Sequence, residues 1–389
     1  DFFFSQKGKF DPKAEMHAFL DAMYAPTVAD KNDDHPLCRF PRRSAWLIDN
    51  LRIPRESLPK VYCAQLDRFL KDQSVKGVSI VFASYYINNP ASMFGHTFLR
   101  LHRGKGPGDG EPNALLDSAV NFAANPTTDN SVLYSWYGLT GGFPGTFSLM
   151  PYYLKVQEYN NSESRDLWEY PLQLTQQQVD NLMLTLWELG PAKIDYWYID
   201  ENCSYVLLLV LETLNPGMNL AQSFNVMATP ADTLRSVTSK QGLTGKPKYR
   251  PSALSTYLQR ESFLSPEGIA QLRKVITRRE ANVEQVLAGI EPEEKAKVVD
   301  AALDYIDFDE GVAGNRLPEK QKQRRLDLLK LRSGLRFPPL LLSKVPEAEQ
   351  PDKGHRSMRI GISGGILRTP AFRYQIIDFD WRPTLHDLS

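Results

Sequence analysis

The chain has no surplus of charge of either sign, since 46 Lys and Arg stand against 46 Asp and Glu in 389 residues. A dedicated nucleic-acid binder shows a basic excess, so nucleic acid is not an expected partner. Histidine is scarce at six residues, and cysteine scarcer at three. His17, His35, His102, His355 and His386 are scattered without a second ligand pair at zinc spacing, and His35 with Cys38 stands alone. No metal and no cofactor is therefore expected. The glycine-rich stretch 104–110, GKGPGDG, lacks the Lys-Ser/Thr ending of a phosphate-binding loop. Long apolar runs are also missing. Val206 to Leu211 is stopped by Glu212, far short of the roughly 20 residues that a spanning helix needs. The first residue is Asp1, with no charged-then-apolar leader, so any signal peptide is expected to have been removed or to lie outside this sequence.

What the chain does have is aromatic and apolar bulk. Seventeen Tyr, 19 Phe and 6 Trp at zero formal charge describe a folded globule and exclude general disorder. At roughly 150 residues per domain, the length predicts two or three domains.

The cysteines fall into two kinds. Cys38 (HPLCRFPRR) and Cys63 (PKVYCAQLDRF) share one N-terminal region and are expected to pair. Such a loop closure stabilises by roughly 3 kcal/mol and is typical of an oxidising compartment. Three unrelated buried thiols in a reducing compartment are the competing reading. Cys203, in YIDENCSYVLLLVLETL, is left over and needs protection or a task.

Four regions follow from texture. Residues 1–75 read as a mainly helical module: PKAEMHAFLDAMY has helical apolar spacing, and Leu66, Phe69 and Leu70 form a stripe. Residues 76–245 begin with strands in VSIVFASYYI, HTFLRLHR and LLDSAVNFAA, linked by turn residues as in an antiparallel meander. YGLTGGFPGTFSLMPYY, with its glycines and prolines, reads as a flap. RDLWEYPLQL is a further strand, and LTQQQVDNLMLTLWEL an amphipathic helix capped by Thr175. KIDYWYIDENCSYVLLLVLETLNP then switches from extended chain to a buried helix, with Cys203 at the switch. Residues 246–340 are charged and helical, opening with Ser265 as N-cap and Pro266 at the first helical position, and with Ile269, Leu272, Val275 and Ile276 on one face. Residues 341–389 alternate like the start of a strand-rich region, and the chain is expected to be a fragment of a longer protein.

Two segments carry the residues for chemistry: NNPASMFGHTFLRL around His96 and DENCSYVLLL around Cys203. A thiol nucleophile needs a base, a setting that favours thiolate, and donors for an oxyanion. Gly95 permits close backbone approach beside His96, which opens a strand. Cys203 opens an apolar helix, whose N-terminus favours thiolate and presents free N–H groups. This is a papain-like arrangement with the order of Cys and His reversed, as in a circular permutation. The competing readings are a satisfied core histidine and an inert buried thiol.

NNPASMFGHTFLRL and NCSYVLLLVLE, with RDLWEYPLQLT and LTLWEL between them, resemble the Lnb N-terminal periplasmic domain family, formerly labelled DUF4105, over roughly residues 76–220. GHTFLRL and NCSY are also similar to the His and Cys motifs of permuted NlpC/P60 enzymes, the group that includes lecithin:retinol acyltransferase-like proteins. The implied fold is α+β: a permuted papain-like antiparallel sheet with a catalytic helix, flanked by helical N- and C-terminal regions. The resemblance makes Cys203 the nucleophile and His96 the general base.

Asn121 is the choice for the orienting group, because an amide accepts from an imidazole N–H without adding charge; Asp117 and Ser118 stand behind it. Strand alternation puts Asp117, Ala119 and Asn121 on one face. Asn202 and Ser92 are candidates for the oxyanion or substrate side, or for cap and turn roles, and Tyr85 and Tyr86 for an acyl pocket. His102 reads as an exposed strand end.

The implied activity is acyl transfer or hydrolysis through an acyl-thioester, on a lipid or lipoprotein acyl group in the envelope of a Gram-negative bacterium. Lnb enzymes carry membrane helices and this chain has none, so membrane association would come through a missing C-terminal barrel or an amphipathic surface. The alternatives are a cysteine peptidase or amidase acting on cell-wall peptide or protein, and a non-catalytic periplasmic module of an outer-membrane protein.

Overall fold

A computed structural model describes residues 2–27, 32–86, 94–104, 115–224, 227–277, 282–312, 318–340, 350–354, 359–369 and 372–382. Its centre is an antiparallel sheet of seven strands: β1 (Val75–Ala83), β2 (His96–Arg103), β3 (Ser118–Ala124), β4 (Phe143–Pro151), β5 (Leu167–Pro171), β6 (Lys193–Tyr196) and β7 (Lys248–Arg250). The spatial order is β6-β4-β3-β2-β1-β5-β7. The architecture is α+β. The β1–β3 run is the expected meander, each strand lying antiparallel beside the one before it, and β4 joins the same sheet beyond β3 after the helix Ser131–Thr140.

Alternation splits the sheet into two buried faces. Val78, Ile80, Leu99, Leu101 and Val120 form one core with the helices Gln176–Leu189, Cys203–Glu212 and Pro230–Thr238. Val81, Ala83, Phe98, Ala119 and Leu167 form the other, closed by Tyr152 and Tyr159 from the turn of helix that follows β4. Burial is continuous from Gly77 to Ala83 on β1 and from His96 to His102 on β2, so polar residues on these stretches need internal partners.

The flap expected over 137–153 is not one. Its first part ends the helix Ser131–Thr140, and the rest is β4, an interior strand. The glycines that suggested mobility do local work. Gly141 terminates the helix at φ +70, a left-handed position open to glycine at little cost. Gly145 leaves room for the Phe122 ring, which a Cβ there would strike. Thr175 caps its helix as expected, in a reciprocal capping box with Gln178.

The N-terminal helices Pro12–Met23, Pro36–Arg39 and Pro41–Leu51 gather a small core of Phe19, Met23, Phe40 and Leu47. The Cys38–Cys63 disulfide ties the second of them to the start of the helix Ala64–Gln73. Helices Pro266–Thr277, Val283–Val286, Pro292–Val312 and Glu319–Gly334 enclose a separate core around Leu272, Val275, Val299 and Leu328. The C-terminal strands β8 (Arg359–Arg368) and β9 (Arg373–Arg382) pair as a hairpin. Among the described residues no helix is long and apolar enough to cross a membrane.

Candidate functional site

Cys203 is the one free cysteine, and it is buried. It is the first residue of the helix Cys203–Glu212, whose N-cap is Asn202. The Asn202 Oδ1 accepts from the N–H groups of Ser204 and Tyr205, and Nδ2 donates to the carbonyls of Tyr198 and Ala228. Both ends of the amide are thus engaged in holding the helix start, leaving Asn202 as a cap rather than a free oxyanion donor.

His96 opens β2. Gly95 before it adopts φ +91, and a Cβ at that position would come within 2.7 Å of the Phe82 ring. Only glycine allows this close, left-handed entry. The His96 Nε2 lies 2.5 Å from Asn121 Oδ1, across from β2 to β3. An amide oxygen only accepts, so Nε2 carries the proton and Nδ1 is left as the acceptor nitrogen. The imidazole neighbours the Cys203 thiol and acts on its ionisation. Tyr159 packs on the His96 ring at 5.7 Å between centroids, held in turn beneath the guanidinium of Arg165 at 4.8 Å.

The thiol balances opposing influences. Burial alone pushes it up. A charge on His96 and hydrogen bonds from His96, the Thr97 N–H and the Tyr196 hydroxyl overcome that and bring it down to about 7. Each of these groups stabilises thiolate over thiol. The Tyr196 hydroxyl also accepts from the Cys203 N–H at 3.2 Å, and burial, then the neighbouring thiol, hold this phenol well above its usual range. It therefore stays a neutral donor.

The structure brings together Cys203, His96 and Asn121. Ser92 lies outside the described residues. Tyr86 is half-buried and Tyr85 exposed, both just past the end of β1. Tyr196 and the Thr97 N–H were not anticipated. A tyrosine at the end of β6, shortly before the cysteine, offered a weak signal, whereas a backbone donor offers none.

His102 is corrected. It is buried rather than an exposed strand end, with Nδ1 3.2 Å from Asp117 Oδ2 and Nε2 3.4 Å from Glu169 Oε1. Asp117 is thereby a partner of Arg100 and His102 instead of His96, and Ser118 hydrogen-bonds Gln73. Among the described residues no cluster of His, Cys, Asp and Glu is arranged to hold a metal ion.

Residues 65–240 match the Lnb N-terminal periplasmic domain. The Lnb-like segment contains Cys203, His96, Asn121 and Tyr196, and a disulfide in the adjoining region suits a periplasmic setting. Residues 1–50 and 247–340 match two domains of unknown function, DUF7843 and DUF7842. No curated protein and no solved structure matches the chain.

Proposed function

We propose that the Lnb-like segment is a cysteine–histidine thiol enzyme of permuted papain-like build, working through an acyl-thioester. The reading rests on one observation above all: a buried thiol at a helix start, neighbour to His96 and brought down by it to about 7. A merely structural cysteine in apolar surroundings would move the other way.

In the proposed cycle the Cys203 thiolate attacks the carbonyl carbon of an ester or amide. As the sulfur gives up its charge to the new bond, the Tyr196 hydroxyl is released from it and donates to the developing oxyanion. Collapse breaks the bond to the leaving group, which takes the proton from His96. An incoming amine or water gives a proton to His96, attacks the thioester and releases the acyl product and the thiolate. Asn121 keeps the imidazole in the tautomer that this shuttle requires. The substrate we favour is a lipid or lipoprotein acyl group of the cell envelope, because the similarity is to a periplasmic Lnb domain. Association with the membrane through further C-terminal strands belongs to the same proposal.

The test is intact mass after incubation with phospholipid and, separately, with peptidoglycan fragments. An acyl-chain adduct that disappears in Cys203→Ala is expected. A muropeptide adduct would replace the lipid substrate with cell-wall peptide. Failure of a thiol alkylator to label Cys203 anywhere near neutral pH would remove the nucleophile and leave a binding module.

A further inference from the structure

A cavity of about 890 Å³ opens between the N-terminal helices and the sheet, on the face opposite His96. This lies within the roughly 300–1,000 Å³ typical of small-molecule sites. Its floor is Leu101, Val120 and Phe147, and one wall is Leu186 and Trp187 of the helix Gln176–Leu189. Phe40 and Phe69 close it from the N-terminal side. A space so lined offers water few hydrogen bonds and favours an apolar occupant.

The mouth supplies the chemistry that selects the occupant. There the exposed Lys193 contributes positive charge and the exposed Asp34 negative charge, while Asp33 Oδ1 already accepts from the Gln65 N–H at 3.1 Å. The remaining carboxylate, Glu188, is already occupied by the Arg43 N–H at 2.8 Å. A head with one charge would meet a like charge on the rim, whereas a zwitterionic head is complementary to both signs. We infer that the cavity binds a single-chain zwitterionic amphiphile, a lysophospholipid, with its acyl chain on the Phe147 floor and its head between Lys193 and Asp34.

This site is separate from the thiol. Phe147 packs at a tilt against Phe122 at 4.9 Å between ring centroids, and Phe122 stacks on Tyr196 at 5.6 Å, so the Phe122 ring stands between the floor and the group that touches Cys203. The inference therefore does not depend on Cys203 being a nucleophile.

The probe is a lysophosphatidylethanolamine with bromine on its acyl chain, titrated into the full chain below its micelle concentration. Bromine quenches indole on contact, and Trp187 is fixed in the wall by donating its Nε1–H to the Cys38 carbonyl at 2.9 Å. Saturable quenching is expected, unchanged in Cys203→Ala and lost in Trp187→Phe. Ala192→Phe, which fills part of the lining, should weaken binding at least tenfold, and Lys193→Glu severalfold; should the first not fold, the exposed Lys193 variant still decides. Absence of saturable quenching, or its survival in Trp187→Phe, would overturn the site. Equal or tighter binding of the matching brominated fatty acid would overturn the zwitterionic assignment.

Discussion

Two histidines lie on the same face of β2, both buried, and their surroundings set them to different tasks. His102 is enclosed by Asp117, Glu169 and Ser79, with Arg100 bridging the two carboxylates at 2.8 and 2.6 Å. Every polar atom there has a fixed counterpart, and such a network holds strands in register. His96 has one neutral amide on Nε2 and a thiol as its other neighbour. It keeps a nitrogen free for proton transfer. A histidine saturated by carboxylates is a structural element, while one oriented by an uncharged amide can serve as a base.

The sharpest way to break the contrast is at Arg100. Burial pushes its guanidinium down, but Glu169, Tyr152 and Asp117 overcome this and hold it charged. Arg100→Leu would strand two buried carboxylates and is expected to cost about 3–5 kcal/mol in chemical denaturation. A loss below about 1 kcal/mol would mean that water relieves the cluster.

Burial lifts Glu188 from 4.5 to about 7, against the opposing pull of Arg43 and Arg42. Between these values the folded chain holds a proton that the unfolded chain has released. Stability from this group is complete below about 4.5 and falls as pH rises to about 7, by about 3 kcal/mol at most. Glu188→Gln should flatten that slope in denaturation curves taken at pH 5 and pH 8.

His96→Ala should leave the fold intact and slow alkylation of Cys203 at pH 7 by roughly 15-fold or more, as the thiol returns toward its ordinary value near 8.5. In the wild type the alkylation rate should rise with pH through about 7. His102→Gln should leave this profile where it is, and a matching shift would end the distinction between the two histidines. Asn121→Ala is expected to give the smallest change, roughly three- to tenfold in the same assay, because it releases the ring's orientation but keeps the base. Indifference to that change would assign Asn121 to packing alone.

Much of this was legible along the chain because it depends on local chemistry. A glycine before His96, an asparagine before Cys203, and Thr175 three residues before Gln178 are short-range signals for a turn, a cap and a capping box. The alternation Asp117, Ala119, Asn121 correctly put two polar side chains on one face, but could not tell which histidine each would meet. Register decides that: Leu99 opposite Val120 sets Asn121 beside the His96 end and Asp117 beside Arg100 and His102. The segment 137–153 misled for a related reason. Its glycines answer to Phe122 and to a helix end, and both needs arise from packing.

By itself, then, the sequence determined the meander, the helix starts, the pairing of Cys38 with Cys63 and the isolation of Cys203, since these follow from periodicity, capping and cysteine arithmetic. Only the tertiary structure decided that His96 faces the thiol while His102 is sealed among carboxylates, that Tyr196 joins Cys203, and that a cavity opens behind the sheet. Those outcomes depend on strand register and on contacts between distant segments, whose energies exist only once the faces have closed on one another.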